Sequence, residues 1–198
     1  MHTIWENSDK GRVIGLILTI VIGTLPTWIE TTFIAANFAT TEVLWYGLWM
    51  SCVTLGTGQM QCEVYNYMWY WEYDLEPARA MILTAIILGV LGVLFFIVGA
   101  KCTNCIKDKT SQAKLIIIAG ILFILAGILI LIPVSLVARS IISNSTRVKG
   151  KTELGPSLYF GWVAAALLLI GGVLMDIFSL REIMDLDIDC LTLLNMLK

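Results

Sequence analysis

The sequence has little charge, a single histidine and no excess of basic residues. Charged residues make up 14% of the 198 residues, and the net charge at pH 7 is −2, so a basic footprint for nucleic acid is missing. The single histidine is His2, near one end of the sequence, which removes most histidine-based catalysis and metal binding. Among the apolar segments only Asp176 is ionisable, near one end of its segment. We therefore expect that the protein is not an enzyme, holds no cofactor and binds no nucleic acid.

The sequence also lacks a second cysteine pair for a metal site and the pattern of a cleavable signal peptide. Five cysteines cannot all pair internally, so at least one is free. Cys102 and Cys105 have the spacing of a metal half-site, but no second pair exists, and we expect no metal site. The polar stretch 1–12 lacks a small-residue cleavage site. The first apolar run is therefore expected to act as an uncleaved signal-anchor.

Long apolar runs are what the sequence has in abundance. Apolar residues make up 58% of the chain, above the roughly 45–50% of soluble domains. A run of about 20 such residues spans a hydrocarbon core about 30 Å thick. The pattern predicts a membrane α-helical protein, a left-handed bundle of four transmembrane helices embedded in the lipid bilayer. The predicted spans are 13–28, 80–100, 115–138 and 158–180.

Basic residues predict the orientation of these spans. The segments 1–12, 101–114 and 181–198 carry eight Lys and Arg residues, against five in 29–79 and 139–157. The positive-inside rule therefore places both ends in the cytosol and the two loops outside the cell.

The outer segment 29–79 has a strand-like pattern. Strands are predicted at Glu30–Phe38, Val43–Val53 and Met60–Tyr65, with a turn at 56–58. Cys52 and Cys62 lie in the strands that flank this turn, where they could pair across a hairpin or remain two free thiols. Because disulfides persist outside the cell, we predict a small extracellular antiparallel β-sheet with a Cys52–Cys62 disulfide.

A resemblance to the claudins of tight junctions rests on a signature in and around this loop. It comprises Trp28, the run Gly47, Leu48 and Trp49, then Cys52, Cys62 and Arg79. The stretches Gly47–Val53, Thr57–Cys62 and Gly99–Cys105 also resemble this family. The resemblance implies a tight-junction protein of the plasma membrane that assembles with other claudins in cis and in trans and controls paracellular ions. We expect Trp28 and Trp49 to lie at the membrane–water boundary, and Arg79 to open the second helix there.

The sequence departs from the family's pattern in the second loop and in the tail, where the paired cysteines usual after the fourth helix are absent and Cys190 is a distant substitute. The second loop is short and lacks the aromatic-Asn-Pro motif that the family uses for contacts between neighbours. The sequence ends in Leu197 and Lys198 rather than Tyr-Val, so binding to a PDZ scaffold is not expected. An alternative is therefore a barrier protein, or a tetraspan partner without a pore, in which strand assembly is weakened.

Acidic residues dominate the first loop, whose net charge is −5. Carboxylates at a pore attract cations and exclude anions, and in claudins the charges of this loop set ion selectivity. The resemblance indicates Glu63, directly after the second cysteine, as the main selectivity residue, with Glu42 and Glu30 as further candidates. The alternatives are a solvated acidic face and a sealing protein.

Four further expectations concern assembly and modification. An aromatic-rich stretch from Tyr65 to Tyr73 fits either lateral assembly or a membrane belt. By resemblance, Met68, Trp69 and Trp71 would contact a neighbouring protomer. The candidates for palmitoylation are Cys102, Cys105 and Cys190. Asn144 begins a glycosylation sequon.

Overall fold

The computed structural model of the chain describes residues 2–34, 41–55, 58–64, 75–101, 109–144 and 151–196. These residues form four α-helices and five β-strands. The helices are α1 (His2–Thr24), α2 (Glu76–Lys101), α3 (Lys109–Asn144) and α4 (Pro156–Met196). The strands are β1 (Ile29–Ile34), β2 (Thr41–Tyr46), β3 (Met50–Thr54), β4 (Met60–Val64) and β5 (Lys151–Leu154).

The four helices form a bundle in which α3 makes its most extensive contacts with α4 and α2, and α1 packs mainly on α4. Ile22, Phe123, Ile130 and Leu168 are fully buried between them. Large apolar side chains also cover the outside of the bundle, for example Ile170, which is 61% exposed. Lipid tails are a suitable solvent for such a surface, whereas water is not.

Three of the helices are long and apolar enough to cross a membrane, as judged by length and composition over the described residues. They contain the segments Glu76–Ala100, Ser111–Ser143 and Pro156–Asp185. Helix α1 has a shorter apolar stretch, because Asp9, Lys10 and Arg12 all lie within its last 18 residues.

The helices extend beyond the predicted spans. Helix α1 includes most of the stretch 1–12 that was predicted as a cytosolic segment. Helix α3 passes through Pro133 and continues to Asn144. Helix α4 runs for 41 residues to Met196, about 60 Å at 1.5 Å per residue. The segment 181–196 is therefore a continuation of the fourth helix.

One predicted strand is divided in the structure. The stretch Val43–Val53 was predicted to be continuous, but β2 ends at Tyr46 and β3 begins at Met50. The Gly47 N–H donates to the Met50 carbonyl at 3.0 Å, which closes a tight turn. A Cβ at Gly47 would collide with the backbone of Pro26, so glycine allows this turn to pack against the end of α1.

The five strands form one antiparallel sheet in the order β4-β3-β2-β1-β5. Strand β5 belongs to the second loop and was missed, because four residues carry too weak a periodicity to be recognised. It pairs with β1, so that Glu30 lies opposite Glu153. The sheet therefore joins the two predicted outer loops at one end of the bundle.

Candidate functional site

Trp28 lies at the junction of the sheet and the bundle. Its side chain is 0% exposed, and its Nε1–H donates to the Ile22 carbonyl at 2.7 Å. Its backbone N–H donates to Tyr46, and its carbonyl accepts from Gly155. The ring of Trp28 is therefore not exposed to the lipid surface, as a side chain that anchors the sheet to lipid would be. The ring is a core residue because it fills the space where α1, β2 and the start of α4 meet.

The other signature residues lie next to this junction. Leu48 is buried, whereas Trp49 is 40% exposed. The Arg79 guanidinium carbon is 5.6 Å from the centroid of the Trp49 ring, within the range of a cation–π interaction. Arg79 belongs to the first turn of α2, so this contact connects the β2–β3 turn to the second helix.

Strand β4 is a sheet edge that holds the second cysteine. The disulfide Cys52–Cys62 is present with an S–S distance of 2.03 Å, and it joins two residues that are directly opposite in the β3–β4 ladder. Every residue of β4 is exposed. At the preceding turn Gly58 has a φ of 81°, a conformation that glycine adopts readily. The hairpin thus presents Glu63 at the open edge of the sheet.

Glu63 and Glu30, two of the predicted selectivity residues, are not brought together within the chain. Glu30 on β1 is in the same cross-strand row as Cys62, so the next residue, Glu63, points to the opposite face. Three strand spacings, about 14 Å, also separate β4 from β1. Glu42 lies in β2 opposite Phe33. No group of three acidic or other metal-ligating residues forms among the residues that the structure describes.

Sequence reasoning missed Glu153, an exposed residue of β5 that lies directly opposite Glu30. The sequence contains the charge, but only the pairing of the two loops shows which residue it faces. Because β5 and β4 are the two edges of the sheet, Glu153 and Glu63 are about 19 Å apart across the strands.

A groove lies beside the second loop. Its volume is about 380 Å³, and it is lined by Ile141, Ile142, Thr152, Glu153, Leu154 and Tyr159. It lies between the outer end of α3, strand β5 and the first turn of α4. Its lining is mainly apolar, with one carboxylate and one aromatic ring, which suits an apolar side chain.

The remaining predicted site residues concern assembly and modification. Met68, Trp69, Trp71, Cys102 and Cys105 lie outside the described residues. Asn144 is the last residue of α3, and Cys190 lies in the continuation of α4, six residues before its end.

Comparison with known proteins identifies the family. A model of the PMP-22/EMP/MP20/Claudin family matches residues 12–175. Claudin-4 of Bos taurus is 48% identical over 167 residues, which cover 82% of this chain and 80% of the relative. Claudin-4 of Homo sapiens is 46% identical with the same coverage, and claudin-3 of Canis lupus familiaris is 47% identical over 82% of this chain and 77% of the relative. The chain belongs to the claudin family. Claudins are structural proteins of junctions and not enzymes.

Family membership explains the architecture. A claudin has a four-span helical bundle with an extracellular β-sheet, so α1 is the first span although its apolar stretch is short. The protein is embedded in the plasma membrane at tight junctions and assembles with other claudins. Control of paracellular ion permeability is a general role of claudins.

Proposed function

We propose that this claudin forms a cation-preferring paracellular pore in which Glu63 lines the ion path. The observation that carries the proposal is the position of Glu63 on β4, a fully exposed edge strand. A carboxylate at such an edge faces the space beyond the protomer. The net charge of −5 over residues 29–79 adds a negative potential that concentrates cations.

A ring of carboxylates would have to come from several protomers. Glu63 and Glu30 are about three strand spacings apart and on opposite faces of the sheet. One chain therefore supplies one carboxylate at the β4 edge, Glu63, and neighbouring claudins supply the other members of the ring. This arrangement makes cation preference dependent on lateral assembly.

The experiment is a NaCl dilution potential across an epithelial monolayer that expresses the protein at its contacts. Glu63→Lys should lower the ratio of sodium to chloride permeability, because it reverses the charge at the pore. Glu153→Lys is the control for charge, since it reverses an exposed charge on the opposite edge of the same sheet. Because Glu153 also lines the groove beside the second loop, crosslinking between protomers is compared for both variants. The amount of each variant at the cell surface is measured in parallel.

A loss of sodium preference in Glu63→Lys alone would support the pore. An equal loss of sodium preference in both variants would assign the selectivity to the overall charge of the two outer loops. No change of permeability when the wild-type protein reaches the surface would reject the pore and favour the barrier function.

A barrier or partner protein with weakened strand assembly is the second candidate. It is supported by the lining of the groove, where Tyr159 is the single aromatic residue among those that the structure describes. If Met68, Trp69 or Trp71 of a neighbour docks in this groove, the contact is with short aliphatic side chains such as Ile142. Crosslinking of protomers in cells that lack other claudins separates the candidates, because the barrier candidate predicts few long oligomers.

A further inference from the structure

A positive charge lies inside the bundle. Arg12 on α1 is 2% exposed, although the sequence placed it in a cytosolic segment. Its Nη1–H donates to the Gly171 carbonyl of α4 at 3.1 Å. Its guanidinium carbon lies 4.9 Å from the ring centroid of Phe96 on α2 and 5.7 Å from that of Phe123 on α3. One side chain of the first helix therefore contacts all three other helices.

A negative charge lies nearby on α4. The Oδ1 atom of Asp176 is buried and has no hydrogen-bond partner in the described part of the chain. A Cβ at Gly120 would collide with this oxygen, so the carboxylate rests against the backbone of α3. One turn further along α4, the hydroxyl of Ser179 is also buried without a hydrogen-bond partner among the described residues. A carboxylate in such a site is unfavourable unless an opposite charge compensates it.

The two charges share one turn of α3. Asp176 packs at Gly120 and Arg12 packs at Phe123, which are three residues or about 4.5 Å apart along the helix. On α4, Gly171 and Asp176 are five residues or about 7.5 Å apart. These spacings are rises along the helix axes, and they place both side chains on the same stretch of α3 and α4. Between packed helices opposite charges are screened less than in bulk water.

We propose that Arg12 and Asp176 form a charge couple that fixes α1 against α3 and α4 inside the bundle. The guanidinium neutralises the carboxylate, and the carboxylate makes it favourable for α1 to carry an arginine into the bundle. The couple stabilises the packing of the first helix in the bundle, and it does not depend on the proposed pore.

The test is a double-mutant cycle on the full chain in detergent, with the melting temperature read from the loss of the monodisperse chromatography peak. Arg12→Met and Asp176→Asn should each lower the melting temperature, by about 5 °C for loss of one partner of a partly buried pair. The double variant should lose clearly less than the two single losses together. Arg12→Lys keeps the charge and should retain most of the coupling if Arg12→Met is too unstable to purify.

Arg181→Met is the matched control, because Arg181 is an exposed arginine five residues after Asp176 on the same helix. Its effect should add to that of Asp176→Asn. Additive losses for Arg12→Met and Asp176→Asn would overturn the proposal. Coupling of Asp176 to Arg181 in place of Arg12 would overturn it as well, since it would assign the carboxylate to a surface contact.

Discussion

At the scale of single residues, the same residue type has different roles on either side of the sheet–bundle junction. Trp28 is buried and donates a hydrogen bond to the end of α1, whereas Trp49 is 40% exposed beside Arg79. The buried ring has both a packing role and a polar role. Removing the N–H of the exposed Trp49 ring by substitution leaves no buried hydrogen-bonding group unsatisfied, because this N–H can bond to water.

Trp28→Phe should therefore destabilise the protein more than Trp49→Phe. The first change removes the donor to the Ile22 carbonyl and leaves a small cavity, at a cost of about 1–3 kcal/mol. For a chain of this length that corresponds to a fall in melting temperature of several degrees, about 2–4 °C for each kcal/mol. Thermal denaturation of the detergent-solubilised protein measures it. Equal melting temperatures for the two variants would contradict the role assigned to the buried N–H.

At the scale of elements, β4 depends on one neighbour. Among the described strands it pairs with β3 alone, its residues are all exposed, and the disulfide supplies the covalent link. An edge strand with few buried contacts opens easily. The position of Glu63 in the proposed pore therefore depends on the Cys52–Cys62 bond.

Replacing both Cys52 and Cys62 by Ala should release β4 while the helices stay folded. Closing a loop of about 10 residues by a disulfide contributes on the order of 2–3 kcal/mol. Hydrogen–deuterium exchange should accelerate at residues 60–64 and stay unchanged in the buried parts of α3. Cys190→Ala is the control and should not alter exchange in β4. Unchanged protection of β4 in the double variant would show that the β3–β4 ladder suffices by itself.

At the scale of the whole molecule, the sheet lies at the end where α1 and α3 finish and α2 and α4 begin. The start of α1 and the end of α4 therefore lie at the other end of the bundle. Because the sheet of a claudin is extracellular, both termini should be cytosolic, in agreement with the eight-to-five distribution of basic residues.

Epitope tags test this orientation. A tag before Met1 or after Lys198 should bind antibody only after the cells are permeabilised. A tag inserted after Arg147, in the second loop, should bind antibody on intact cells and serves as the positive control. Staining of either terminal tag on intact cells would reverse the proposed topology.

The continuation of α4 bears on one modification candidate. Cys190 lies ten residues beyond Leu180, the predicted inner end of the fourth span, which is about 15 Å along a straight helix. Palmitoylation at Cys190 would require this segment to approach the membrane surface. The prediction that Cys190 is acylated therefore depends on the position of 181–196, which palmitate labelling of Cys190→Ser tests directly.

The sequence by itself determined the membrane class, the disulfide and the family. Apolar runs reveal helices that cross lipid, because such a run must be predominantly apolar and its backbone must be paired internally. The two cysteines on either side of a turn are local in the sequence, so their pairing could be predicted. The four-helix bundle with an outer sheet followed from these signals and from the signature around Trp49.

Only the tertiary structure decided which residues meet across long sequence distances. The pairing of β1 with β5 places Glu30 opposite Glu153, and this register depends on the packing of both loops on the bundle rather than on local periodicity. The burial of Trp28 likewise results from α1, β2 and the start of α4, and that of Arg12 results from the three other helices. From the sequence, an arginine at the start of an apolar run is predicted to be a surface charge. Its burial depends on the packing of the surrounding helices and not on its own segment.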